Sequence, residues 1–119
     1  MARQVHTAQI PLGSIGDYSV ANAADYVYLA ADVANKEETI LTGKELILVR
    51  NVDASPHTVT INSEDDPFNR KEDVAAYSVG ANEFAMFGPF DRTGWVSGGK
   101  LNFEADNVNI EFAVIRLPA

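Results

Sequence analysis

Residues 45–51 read Glu-Leu-Ile-Leu-Val-Arg-Asn, and the stretch that follows, Asn51 to Pro56, is built of turn residues. An apolar run this short, rich in strand formers and closed off by turn chemistry, is a β-strand and not a helix. Apolar residues fall on both faces of its pleat, so the strand is expected to lie centrally with each face covered. The next segment, His57 to Asn62, puts Val59 and Ile61 on one face and Thr58, Thr60 and Asn62 on the other. Ser63 to Asp73 carries five acids, two bases, a proline and a single apolar residue, Phe68, which predicts a solvated excursion.

Further on, Val74–Val79 and Glu83–Phe87 flank Gly80-Ala81-Asn82, the pattern of a hairpin whose buried side would be Tyr77, Val79, Phe84 and Met86. A loop from Gly88 to Gly99 holds Pro89 and the sole tryptophan, Trp95. Lys100–Glu104 and Val108–Leu117 bracket Ala105-Asp106-Asn107 as a second hairpin, with Leu101 and Phe103 facing inward opposite Val108, Ile110, Phe112 and Val114. Between residues 20 and 41, Val20, Ala23, Ala24, Val27, Ala31 and Ala34 also fit a helical stripe. Tyr26, Val27 and Tyr28 are poor helix formers, so Asp25–Ala30 reads as a strand and Asp32–Thr39 as a polar connection. The fold expected is all-β: an antiparallel sandwich or small barrel of about seven or eight strands, over residues 23–119. Residues 1–22 form an extended N-terminal arm, because Met1 to Leu12 alternates weakly and then meets Pro11, Gly13 and Gly16. Fully extended, a dozen residues span roughly 40 Å, enough to touch a neighbour.

At 119 residues the chain has room for one domain, and 46% hydrophobic against 22% charged residues is a globular balance. The formal net charge of -8 repels phosphate backbones and anionic lipid, which argues against nucleic acid and membrane partners. The absence of cysteine removes disulfides, thiolate nucleophiles and zinc or iron–sulfur ligation by sulfur. No apolar run is long enough for a membrane span or a signal peptide, so synthesis in the cytoplasm is expected.

Candidate chemistry is sparse. His6 lies in the arm, and His57 sits at a strand start beside Ser55, where a hydrogen bond to a nearby carbonyl or carboxylate accounts for it. Ser55 and His57 lack an orienting third group. Glu64-Asp65-Asp66 with Asn69 and Asp73 is the best cation candidate, yet it lacks the alternate acids and central glycine of a calcium loop. No catalytic, metal or cofactor site is expected, and the protein reads as a non-enzyme. Phe87 and Phe90 around Gly88-Pro89, with Trp95 beyond, are read first as a plug for the open end of a sandwich, then as anchors for a partner, then as a stacking platform.

Three segments together carry a resemblance: Asp32-Val-Ala-Asn-Lys36 through Thr42-Gly-Lys-Glu-Leu-Ile-Leu-Val-Arg-Asn51; Ser55-Pro-His-Thr-Val-Thr-Ile61; and Asp73-Val-Ala-Ala-Tyr-Ser-Val79 running into Phe87-Gly-Pro-Phe90 and Gly94-Trp95. With the closing Ile110-Glu-Phe-Ala-Val-Ile-Arg-Leu-Pro118, the chain over about residues 25–118 resembles the small structural proteins of tailed bacteriophages, and among them the head decoration, or cement, proteins. The resemblance implies a virion protein on the outer capsid surface, homo-oligomeric with a trimer favoured, bridging subunits of the major capsid protein. On that reading the arm residues Val5, Thr7, Gln9, Ile10 and Leu12 add a strand to a partner sheet, and Phe90 and Trp95 are contacts on the body. Two other readings stand beside it: a head-to-tail connector or tail protein, and a carbohydrate-binding β-sandwich module.

Overall fold

A computed structural model of the chain describes residues 2–12, 19–22, 24–63 and 73–117. Among these the secondary structure is entirely β, in two sheets that face each other as a sandwich. The strands are β1 (Gln4–Val5), β2 (Leu29–Ala30), β3 (Glu37–Ile40), β4 (Glu45–Asn51), β5 (His57–Asn62), β6 (Val74–Val79), β7 (Phe84–Phe87), β8 (Lys100–Ala105) and β9 (Ile110–Arg116). One sheet runs β1-β3-β8-β5-β6 and the other β2-β9-β4-β7. All pairings are antiparallel except that of β1 with β3.

The strand expected at the centre is there. β4 lies between β9 and β7 and pairs with β9 along its whole length, Glu45 opposite Arg116 through to Asn51 opposite Ile110. Ile47 and Val49 are fully buried on its inner face, where they meet Phe112 and Val114 from β9 and Val59, Ile61, Leu101 and Phe103 from the other sheet. The Phe103 and Phe112 rings touch edge to face across the sandwich, 4.9 Å between centroids.

Several expectations are corrected. The strand apolar and buried on both faces is β9, at Phe112 to Ile115, whereas Leu46 and Leu48 on the outer face of β4 are only half-buried. Glu37–Ile40 is a strand, since Glu37 and Thr39 face inward, and only Leu29–Ala30 of the Asp25–Ala30 segment is paired. Neither expected hairpin forms: β6 and β7 lie in opposite sheets, as do β8 and β9. Each short connection carries the chain over the end of the sandwich, so both strands bury one face against each other's sheet instead of sharing a ladder. Val108 consequently sits exposed in the β8–β9 turn, and Tyr77, Phe84 and Met86 point outward while Val79 is buried. From β3 onward only β5 and β6 are chain neighbours paired in one sheet. The excursion between them lies at residues 64–72, outside the described residues, and its ends are pinned by Asp73 Oδ1 accepting from the amide and hydroxyl of Ser63 at 2.7 and 2.8 Å.

Glu45 closes one end of the β4–β9 ladder from within. Burial pushes its carboxyl pKa up, but the Arg116 guanidinium at 2.6 Å, the Thr42 hydroxyl at 2.7 Å and the amides of Thr42 and Lys44 outweigh that and hold it down to about 2. A folded-state pKa below the ordinary 4.5 means that the stabilisation is complete above pH 4.5 and is lost as pH falls through about 2. At 1.36 kcal/mol per unit this amounts to on the order of 3 kcal/mol. Urea unfolding followed from neutral pH to about pH 2 should show that decline, and Glu45→Gln should flatten it while costing about 3 kcal/mol at neutral pH by stranding Arg116.

Candidate functional site

The N-terminal segment, read from sequence as an arm, lies along the body over residues 2–12. Gln4 and Val5 pair in parallel with Glu37 and Glu38 on β3, and the His6 amide donates to Glu38 O at 2.9 Å. The chain then crosses to the other sheet, where Gln9 N donates to Val114 O at 2.8 Å and Gln9 O accepts from Arg116 N at 2.9 Å. The Gln9 side chain exchanges two further bonds with the Val27 backbone, both 2.9 Å. This segment therefore joins the two sheets, bonding along the edge of β3 in one and along the edge of β9 in the other. His6 is buried between Phe103 and Phe112, with Nε2 3.5 Å from Glu37 Oε1. That oxygen accepts from Gln4 Nε2 and Asp32 N, each at 2.8 Å, whereas Glu37 Oε2 and His6 Nε2 have no hydrogen-bond partner among the described residues.

The other histidine stands where the sequence suggests. His57 Nε2 lies 2.8 Å from Asp53 Oδ2, and this bond first, then the Ala54 amide, lowers the Asp53 pKa. No serine or threonine hydroxyl bonds to His57 among the described residues, so the pair is a loop clasp without an attached nucleophile. No group of three potential metal ligands comes together among the described residues, and the Glu64-Asp65-Asp66 run lies outside them.

Phe90 and Trp95 pack on each other, 4.7 Å between ring centroids. Phe90 is only 6% exposed and belongs to the core, with Trp95 half-buried against it, so the pair plugs one end of the sandwich. Gly88 makes this approach possible: it has φ +105°, and a Cβ there would stand 2.8 Å from the Glu45 carbonyl oxygen.

Exposed apolar surface collects elsewhere, on the outer face of β4 and β7. Phe84 and Met86 are each 70% exposed, and they flank Arg50 and Leu48 in register. Tyr26 and Tyr28 reach over the same face, the Arg50 guanidinium lying 4.4 Å from the Tyr28 ring centre while Glu111 holds it at 2.6 Å. Burial first, then a hydrogen bond with Tyr26, pushes the Tyr28 phenol up to about 12, so it is neutral at physiological pH and offers no base. Tyr26, Tyr28, Leu48, Phe84 and Met86 line a groove of about 240 Å³. A second cleft of about 280 Å³ shares Tyr26 and Leu48 with it and is walled by Gln9, Ile10, Pro11 and Leu12.

Of the residues singled out from sequence, the structure thus brings Gln9, Ile10 and Leu12 to this face and leaves Val5 and Thr7 exposed at a separate cleft that they line with Gln9, Val27 and Leu29, while Phe90 and Trp95 lie in the plug and line neither cleft of this face. Tyr26, Leu48, Phe84 and Met86 were not foreseen. The signal was available only as a choice of phase: in Phe84-Ala-Met-Phe87 no residue is charged, so alternation shows two faces without saying which is wet. The chain matches no protein-family model, no curated protein and no solved structure.

Two stability measurements check these placements. Replacing both Phe84 and Met86 by serine should shift unfolding by less than about 1 kcal/mol, whereas Phe90→Ala should cost about 3–5 kcal/mol. Truncation of residues 1–12 should destabilise the sandwich by more than about 2 kcal/mol, because it removes His6 from between two core rings together with the backbone bonds that Gln4, His6 and Gln9 make to both sheets.

Proposed function

We propose that the protein is a structural module that works by docking onto other polypeptide chains and transforms no substrate, and that its setting is the outer surface of a tailed-bacteriophage capsid, where it acts as a head decoration protein. The observation that carries docking is the apolar outer face of β4 and β7, where Phe84 and Met86 stand largely in solvent beside two adjoining clefts. Contiguous apolar surface of a few hundred Å² is often functional. The capsid setting rests on the resemblance carried by residues 25–118, and the partner it names is the major capsid protein. Ile10 and Leu12 contribute to the same face, while Val5 and Ile10 present free side chains without any need to break the backbone bonds of the segment. Repetition around a shell makes modest contacts sufficient, since binding stabilises the assembled lattice by mass action. The net charge of -8 favours an outward-facing position, away from packaged DNA.

A carbohydrate-binding role is the second reading, favoured by exposed Tyr26 and Phe84 beside the groove. A glycan array separates it from the first.

Quantitative mass spectrometry of particles from cells carrying the gene should find the chain in copy number comparable to the major capsid protein. A much smaller number indicates a connector, and absence from particles overturns the proposal. Binding to undecorated heads should fall at least about tenfold for Phe84→Ser with Ile10→Asp, a loss of about 1.4 kcal/mol or more, with folding unchanged.

A further inference from the structure

The four outer edges of the sandwich are not alike. β1 and β2, at one end of each sheet, are two residues long. β6 is interrupted by a bulge opposite Val59 and Ile61, with Ala76 at φ +49°. Short strands and bulges are the ordinary protection of a sheet edge against pairing with another chain. β7 has neither: it is regular against β4, and Phe84-Ala-Met-Phe87 contains no charge and no proline. Its ladder phase follows from the Asn51 amide, which donates to Glu83 O at 3.0 Å. By alternation Ala85 and Phe87 exchange bonds with Val49 and Ile47, and the N–H and C=O groups of Phe84 and Met86 point to the open side. No described residue bonds to them.

We infer that β7 is the self-association edge of this protein, pairing antiparallel with β7 of a second copy across a two-fold axis at Ala85. The inference does not depend on the capsid setting. With Ala85 opposite its own copy, each Phe84 stands opposite a Met86, and the outward-pointing amides and carbonyls of both residues close four hydrogen bonds. These two largely exposed side chains then meet on one face, sulfur against ring, twice over. Alanine at the axis leaves room for the close approach of a non-hydrogen-bonded pair. Tyr26, Phe84 and Met86 expose roughly 400 Å² between them, and edge pairing covers only the flanks turned to the second copy, so the contact falls below the standard size of about 800 Å² per partner. A weak dimer is the expected result. A partner of opposite charge is not called for, because Tyr26, Leu48, Phe84 and Met86 carry no charge, while a charge of -8 on each copy opposes association and makes it tighten with salt.

Sedimentation equilibrium of the full chain should show a monomer–dimer equilibrium with Kd in about the 10–500 μM range, tightening several-fold between about 0.05 and 0.5 M salt. Met86→Lys, at an exposed position, should weaken the dimer at least about tenfold with unchanged circular dichroism. Amide exchange by NMR locates the contact: Phe84 and Met86 should gain protection with concentration, whereas Ala85, already bonded to β4, should not change. A monomer throughout, a trimer, a dimer insensitive to Met86→Lys, or a dimer whose Phe84 and Met86 amides exchange freely would each overturn the inference.

Discussion

The ladder between β4 and β9 is the constraint on which the rest of the molecule hangs. Seven consecutive residue pairs, from Glu45 with Arg116 to Asn51 with Ile110, hold these strands in one register. A slip of one residue would send either Ile47 and Val49 or Phe112 and Val114 to the outer face, so the core itself enforces the pairing. Both ends are tied by polar groups that have no freedom to move: Glu45 accepts from Arg116, Thr42 and neighbouring amides, and Asn51 Nδ2 donates to the carbonyls of Ser55 and Val79. Buried polar groups of this kind are tolerable only when their bonds are made, and these are.

With that ladder in place, the N-terminal segment ties the two sheets together, bonding to the edge of β3 in one and to the edge of β9 in the other. It also carries His6 into the interior, against Glu37, a polar pair set between two aromatic rings. Segment and sandwich are thus one cooperative structure across residues 2–12, although Val5 and Ile10 still offer side chains to solvent.

Polar and apolar groups are distributed unevenly over the molecule. Its carboxylates and histidines with named partners are tied up in clasps: Asp53 with His57, Glu45 with Arg116, Glu111 with Arg50. Exposed hydrocarbon and aromatic groups, Phe84 and Met86 foremost, stand on the outer face of β4 and β7, beside a strand edge without bulge or charge. Covering such a face would release its water, the favourable term in burying apolar surface.

Read alone, the sequence was enough for the all-β class, for β4 as a central strand, and for Val59, Ile61, Leu101 and Phe103 as core, because short-period alternation and turn residues are local properties. The His57 clasp was legible for the same reason, its partner lying four residues away. The location of the exposed face was not. Whether Phe84-Ala-Met-Phe87 turns its bulky pair inward depends on which sheet the strand joins, and that is decided by the partner strand β4, more than thirty residues earlier in the chain. Likewise nothing near residue 6 foretells that His6 will be buried between rings of β8 and β9. Strand order, the crossing of chain neighbours between sheets and the docking of the N-terminal segment are long-range choices, settled only when all the apolar faces are buried against one another at once.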